Sequence, residues 1–159
     1  MLARTLWSFP LLFAACGTVH DWRELRSDPM PIGQCFDGIV EMASTEFVVD
    51  QSVTDRGEGI YQSRWKVRVL PNRHAARNRL RVEVLLDEGS AATGWPLRFV
   101  VEQEAVDDLR RDLEPREEDW SSDGQDKEKE TLFGERLLRR LAPKSVRAGA
   151  RPAAAPAAR

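Results

Sequence analysis

Apolar residues in the first half of the chain recur first at helical and then at strand spacing. One run has its apolar side chains at i, i+3, i+4 and i+7, which places them on a single stripe of a helix. The residues of this stripe are Phe36, Ile39, Val40 and Ala43. The pattern predicts an amphipathic helix from about residue 34 to residue 44.

Alternating apolar and polar residues then predict four strands, at 46–53, 60–70, 79–87 and 95–103. A sheet with one solvent-exposed face has this period of two. The side chains expected to face the core are Phe47, Val49, Val53, Tyr61, Trp65, Val67, Val69, Leu80, Val82, Val84, Leu86, Trp95, Leu97, Phe99 and Val101. Turn residues such as Gly57 and Gly59 separate the runs, so we expect a four-stranded antiparallel meander.

Helical spacing returns after the predicted sheet. A short helix from residue 106 to 113 ends before Pro115, and residues 114–125 form a polar linker that contains Trp120. A last helix, at 126–142, has acidic first turns and basic last turns, which complement the helix dipole. This helix either packs on the core or presents its apolar side to another protein. The tail, 143–159, is rich in Ala, Pro and Arg and is predicted to be disordered.

This order of elements predicts an α+β fold. Helices before and after an antiparallel meander bury its apolar face in a two-layer sandwich. The chain has 159 residues, enough for one small domain. We assign the domain to residues 34–113, with the linker and the C-terminal helix following it.

Charge and composition exclude some classes of function. Charged residues make up 31% of the chain and nearly balance, for a net charge of −2. Nucleic-acid binding needs a clear basic excess, so we expect no nucleic-acid partner. With 2 histidines and 2 cysteines, the chain has few ligands for a transition metal, and we expect neither a metal nor a cofactor.

The first residues have the layout of a secretory signal peptide: Arg4, a short apolar run and small residues before a cysteine. The apolar run is much shorter than the roughly 20 residues that cross a bilayer as a helix. The sequence Phe13-Ala14-Ala15-Cys16 resembles the lipobox of bacterial lipoproteins, although Leu, Val or Ile is usual where Phe13 stands. The resemblance implies removal of residues 1–15 and a lipid on Cys16; ordinary secretion and a cytoplasmic protein are the alternatives.

The lipobox resemblance also implies a location, the cell envelope. Gly17 stands where the family's inner-membrane retention signal is usually Asp, which favours the outer membrane on its periplasmic side. Residues 16–33 are interpreted as a lipidated tether that holds the domain clear of the headgroups. A lipidated Cys16 leaves Cys35 without a partner in its own chain, so Cys35 is either buried or paired between chains.

A second, partial resemblance covers residues 36–69, FDGIVEMASTEFVVDQSVTDRGEGIYQSRWKVRV. The succession of a helix, a strand, a glycine-containing turn and a strand entered through Tyr61 and Trp65 is similar to the repeat of BamC-like envelope-assembly lipoproteins. The resemblance implies a scaffold or adaptor without catalysis.

Six cations are predicted to lie on the outer face of the sheet: Arg64, Lys66, Arg68, Arg79, Arg81 and Arg98. Guanidinium groups suit phosphate and carboxylate, so this row is a candidate surface for lipid headgroups or an acidic partner. The alternative is a solvated face of cross-strand ion pairs, because Glu83 and Glu102 share it.

No run of residues predicts an enzyme. His20 and His74 lie in predicted loops without a nucleophile signature around them, and the carboxylates of residues 102–119 alternate with arginines as surface charges do. The sequence therefore predicts a lipid-anchored envelope protein that acts by binding, as a scaffold or adaptor in envelope assembly. The alternative is a periplasmic carrier of a lipid or other small ligand, which needs a sizeable apolar cavity between sheet and helix.

Overall fold

The computed structural model describes residues 20–69, 75–106 and 114–147. Within these ranges the fold is mixed α/β, with a six-stranded antiparallel sheet and three helices. The strands are β1 Arg23–Arg26, β2 Ile60–Gln62, β3 Lys66–Val69, β4 Ala75–Val84, β5 Pro96–Val106 and β6 Trp120–Gln125. The helices are α1 Ile32–Ala43, α2 Lys127–Leu141 and α3 Pro143–Arg147. The predicted signal peptide, Cys16 and His74 lie outside the described residues, as do residues 107–113 and 148–159.

Two long strands, β4 and β5, form the centre of the sheet and pair from Ala76↔Ala105 to Val84↔Leu97. Each has two short strands along its other side. β2 and β3 follow one another along β4, and β1 and β6 follow one another along β5. The predicted strands 79–87 and 95–103 correspond to β4 and β5, which are longer and begin and end at somewhat different residues.

The helix α1 begins two residues before the predicted start and ends as predicted. Phe36, Ile39 and Ala43 of its apolar stripe are buried together with Cys35, while Val40 is half-buried against the core. α1 and α2 approach closely, because a β-carbon at Gly38 would lie 2.6 Å from Leu141 Cδ2. The core is a cluster of apolar side chains from α1, α2, the segment after α1 and the strands β2, β4 and β5.

The helix α2 has the predicted position. Asp126 caps its N-terminus by accepting a hydrogen bond from the Lys129 N–H at 3.1 Å. Phe133, Leu137 and Leu141 are buried in the core, and the Phe133 ring meets Phe99 of β5 edge to face, with 5.3 Å between the centroids. The C-terminal helix therefore packs on its own chain.

The predicted strand 46–53 is wrong, because this segment forms only an isolated bridge between Val49 and Ser63. Asp50 Oδ1 accepts hydrogen bonds from both the N–H and the hydroxyl group of Ser52, a local turn that competes with strand pairing. Phe47 is buried as expected, whereas Val53 is exposed.

The predicted strand 60–70 is interrupted between β2 and β3. Ser63 bonds both backbone groups of Leu80, since Ser63 N–H donates to the Leu80 carbonyl and Ser63 Oγ accepts the Leu80 N–H, each at 2.9 Å. The register against β4 shifts by one residue across this point, and a shift of one reverses the face of every later side chain. Val67 and Val69, predicted to face the core with Tyr61, lie on the opposite face and are 58% and 63% exposed.

Two segments predicted to lie outside the sheet belong to it. Residues 23–26 of the predicted tether form β1, in which Leu25 pairs with Leu97. Residues 120–125 of the predicted linker form β6, which pairs with the end of β5. The predicted helix at 106–113 is wrong at its start, because Val106 is the last residue of β5, and residues 143–147 of the predicted disordered tail form α3.

Candidate binding surface on the outer sheet face

The outer face is the face of the sheet opposite Leu80, Val82 and Phe99. Because side chains alternate along a strand, the odd-numbered residues of β4 and the even-numbered residues of β5 point to it. The outer face therefore contains four arginines and three glutamates on the central strands. They are Arg77, Arg79, Arg81, Arg98, Glu83, Glu102 and Glu104.

The six predicted cations do not converge on one surface. Arg79, Arg81 and Arg98 lie together on the outer face, as expected. The register shift after Ser63 places Lys66 and Arg68 on the opposite face, opposite Asn78 and Ala76 of β4.

The three remaining cations have other surroundings. Arg68 donates to Gln103 Oε1 at 2.9 Å and to Asp126 Oδ2 at 3.1 Å, and Lys66 Nζ donates to the Glu46 carbonyl at 3.0 Å. Arg64 is exposed in the interruption between β2 and β3. The predicted row of six is therefore reduced to three.

Carboxylates pair with the arginines that do share the outer face. Glu83 bridges two of them, with Oε2 2.6 Å from Arg98 Nη2 and Oε1 3.2 Å from Arg81 Nη2. Arg79 is paired with Glu102. The arrangement is the cross-strand ion pairing that the sequence offered as the alternative, and it leaves the face close to neutral.

Three tryptophans stack with these arginines. The Trp65 ring lies between Arg77 and Arg79, whose guanidinium carbons are 4.6 and 4.4 Å from its centroid. Trp120 of β6 covers the same Arg77 at 4.6 Å, and Trp22 stacks with Arg98 at 4.8 Å. Arginine over a tryptophan face is a favourable cation–π contact.

Arg77 is the most buried of these cations, with a side chain only 8% exposed. It bonds Glu104 through Nε at 2.6 Å and Glu117 through both Nη atoms at 2.6 and 2.8 Å. Burial by itself would lower the pKa of Arg77, but the hydrogen bonds and charges of Glu117 and Glu104 raise it overall. Arg77 precedes the predicted strand 79–87, so the sequence analysis did not place it in the sheet and did not include it among the candidate cations.

A small pocket opens on the outer face beside Trp65 and Arg79, with a volume of about 70 Å³. His20 and Glu102 line it, and His20 Nε2 lies 3.1 Å from Glu102 Oε1. Small-molecule sites usually enclose roughly 300–1,000 Å³, so this pocket does not provide the apolar cavity that a carrier requires.

A buried carboxylate lies where β1 and β6 meet along β5. The Glu130 side chain is fully buried, and its Oε1 accepts the Val101 N–H at 3.1 Å. Its Oε2 has no hydrogen-bond partner among the described residues but lies 3.4 Å from both Arg23 Nε and Lys127 Nζ. Burial raises the pKa of Glu130, against the opposing effects of the Val101 N–H and the two cations. Glu130 thus connects α2 to β5 through the Val101 N–H and to β1 through Arg23.

Comparison with known proteins adds no family to this geometry, since no family model and no curated protein matches the chain. Within the described ranges, no helix has both the length and the apolar composition needed to cross a membrane. The same residues contain no group of three or more His, Cys, Asp or Glu side chains placed to hold a metal ion.

Proposed function

We propose that this chain is a lipid-anchored protein of the bacterial cell envelope that acts by binding, as a scaffold or adaptor in envelope assembly. The observation that carries the proposal is the signal-like leader ending in Phe13-Ala14-Ala15-Cys16. A lipobox-type cysteine would carry the lipid and become the first residue of the mature chain. With Gly17 after it, the outer membrane is the favoured destination.

The proposed domain is a two-layer arrangement in which α1 and α2 cover the core face of the sheet and leave the outer face for contacts. The outer face supports a binding role because partly exposed tryptophans stack there with arginines. Arginine and tryptophan are enriched among the side chains that dominate binding energy at protein interfaces, and tryptophan is also enriched at the level of lipid headgroups, so the composition of this face suits contact with either a protein or the membrane.

Two cysteine variants test the anchor. Cys16→Ser removes the proposed lipidation site, and Cys35→Ser is the matched control because Cys35 is buried in the core. We expect the full chain, expressed in a bacterium, and its Cys35→Ser variant to fractionate with membranes and to carry an acyl mass at residue 16. The Cys16→Ser variant should lose both properties. An unmodified thiol at residue 16, or an intact leader, contradicts the proposal.

Crosslinking of the native protein in its membrane tests the scaffold role. The expected result is a reproducible crosslink to an envelope protein that survives purification in denaturant and is identified by mass spectrometry. The Cys16→Ser variant serves as the control, since loss of the anchor should remove that crosslink. Recovery of the uncrosslinked chain alone, from membranes in which it is anchored, contradicts an assembly role.

A further inference from the structure

We infer that the outer sheet face is the surface that lies against the lipid headgroups of the membrane holding Cys16. The inference rests on the lipid anchor proposed above and goes beyond it, because the anchor by itself fixes no orientation. Its basis is the position at which the chain enters the fold, the short stretch between that position and the anchor, and the chemistry of the face.

The described chain begins on the outer face. His20 contacts Glu102 at 3.1 Å, and two residues later the Trp22 ring stacks with Arg98 at 4.8 Å. Both contacts are with outer-facing side chains of β5. The chain then continues into β1, where Arg23 pairs with Phe99. Asp21 and Arg23 alternate with these residues and pair with Lys127 and Glu130 of α2. The entering segment therefore lies at the sheet edge, with His20 and Trp22 turned to the outer face.

The stretch from the anchor to His20 is too short to act as a spacer. Three residues, 17–19, lie between Cys16 and His20. The four steps from one α-carbon to the other span at most about 3.5 Å each when fully extended, or about 14 Å in all. The sequence predicted a tether of 18 residues, 16–33, that holds the domain clear of the headgroups, but β1 places part of that segment inside the sheet. The lipid would thus remain close to the point where Trp22 lies.

The helices are the less accessible alternative. They add a layer roughly 10–12 Å thick to the other face of the sheet. To turn α1 and α2 toward the membrane, the short stretch before His20 has to pass the sheet edge and then cover this thickness. Orientation with the outer face toward the lipid needs no such detour.

The outer face also has the chemistry of a membrane interface. Trp22, Trp65 and Trp120 are partly exposed on it, and tryptophan is enriched at the level of lipid headgroups, where one end of the ring is apolar and the other polar. Val67 and Val69 add exposed apolar surface on the same face.

The near-neutral charge of the outer face distinguishes it from a surface that binds a strongly anionic partner. Glu83 and Glu102 neutralise the arginines beside them, whereas attraction to a strongly anionic partner depends on unpaired cations. A nearly neutral mosaic of guanidinium and carboxylate groups fits headgroups that carry both a phosphate and an amine.

Quenching of tryptophan by lipid tests the orientation. The mature lipidated protein is reconstituted into phosphatidylcholine vesicles that contain a lipid with a quencher on its headgroup. Trp→Phe substitutions leave either Trp22 or Trp95 as the single tryptophan. Trp95 is the matched control because its indole donates to the Met30 carbonyl at 2.8 Å and packs against the core. We expect the quenched fraction to be at least twofold larger for Trp22 than for Trp95.

A labelling experiment gives the same test without altering the tryptophans. Glu24→Cys places a thiol on the outer side of β1, and Glu128→Cys places one on the exposed side of α2. An environment-sensitive dye at residue 24 should shift its emission to the blue on reconstitution, while the dye at residue 128 should not. Equal responses overturn the inference, and so does an outer face shielded from lipid by a second copy or a protein partner.

Flotation of the same vesicles separates this inference from the proposal on which it rests. Protein that does not float with the vesicles contradicts the lipid anchor. Protein that floats, but whose Trp22 is quenched no more than Trp95, retains the anchor and overturns the orientation.

Discussion

Glu130 gives the sharpest test of the energetics of this fold, because its buried carboxyl group both accepts a hydrogen bond from a strand N–H and is able to ionise. Its Oε1 accepts the Val101 N–H, while its Oε2 faces two cations without a hydrogen bond. Two substitutions separate these roles. Glu130→Gln retains an acceptor oxygen and removes the charge, whereas Glu130→Ala removes both.

The difference between the two variants can be worked from these contacts. Alanine leaves the Val101 N–H without an acceptor in the interior, which costs about 1–3 kcal/mol. It also removes the buried Cγ methylene group, worth about 0.8 kcal/mol. We therefore expect the alanine variant to be less stable than the glutamine variant by about 3 kcal/mol, or about 10 °C in Tm for a domain of this size.

The charge should appear as a dependence of stability on pH. Because burial raises the pKa of Glu130, the folded state holds the proton more tightly than the unfolded state does. The resulting stabilisation is complete below the unfolded pKa and is lost as pH rises through the folded pKa. Glutamine has no such proton, so the natural protein should lose stability relative to Glu130→Gln as pH rises above the ordinary titration range of a glutamate.

Urea denaturation of the purified protein and both variants, followed by tryptophan fluorescence at several pH values, measures these differences. Two results refute the reasoning. Equal stabilities of the alanine and glutamine variants mean that the bond to Val101 contributes nothing. If the free energy of unfolding of the natural protein instead increases relative to that of Glu130→Gln as pH rises, the attraction of Arg23 and Lys127 for the carboxylate exceeds the cost of burying it.

Three further predictions concern other parts of the fold. Gly94→Ala should destabilise the protein by about 4 kcal/mol or more, because a β-carbon at φ +79° would lie 2.0 Å from the Ser27 carbonyl oxygen. Gly124 has a similar φ of +80° but no described atom within 4 Å of an added β-carbon, so Gly124→Ala should cost only about 1–2 kcal/mol. Urea titrations compare the two variants, and equal losses of stability contradict the argument. Arg77→Lys should cost about 1–2 kcal/mol and shift tryptophan emission, since lysine lacks the planar group that contacts the Trp65 and Trp120 rings. An unchanged emission spectrum and an unchanged urea midpoint argue against a contribution from this stacking. Burial raises the pKa of Cys35 to about 11, so a thiol reagent at about pH 8 should modify this residue only after denaturant is added, and rapid labelling of the folded protein contradicts its burial.

The sequence predicted the elements whose stability comes from a regular apolar pattern. α1 and α2 each bury side chains at helical spacing, and the central residues of β4 and β5 alternate between the two faces of the sheet. In α2 the apolar Leu132 is nevertheless 45% exposed, while Glu130 is fully buried. The burial of Cys35 also followed from its place beside the apolar stripe of α1.

The same reasoning failed where a strand is polar or irregular. β1 and β6 have no apolar alternation, and their stability comes from hydrogen bonds to β5, which is distant in the sequence. The segment after α1 alternates, but Asp50 turns it locally. Strand propensity and alternation reveal neither a pairing strand that is distant in the sequence nor a side chain whose local hydrogen bonds replace those of the sheet.

The candidate surface was predicted correctly only where its residues lie in regular strands. Arg79, Arg81 and Arg98 lie in the regular strands and were placed on the correct face. Lys66 and Arg68 follow the shift at Ser63, which no periodicity signals. Trp22 and Trp120 were assigned to a tether and a linker, although an isolated tryptophan in a polar segment was a signal that it packs on something.

By itself, the sequence determined the helices α1 and α2, the central strands β4 and β5 and the near-neutral composition, because each is a property of neighbouring residues. The tertiary structure decided which strands complete the sheet, which face each arginine occupies and where the described chain enters the sheet. These depend on one-residue registers and on contacts between residues far apart in the chain, and a register error of one residue moves every later side chain of a strand to the other face.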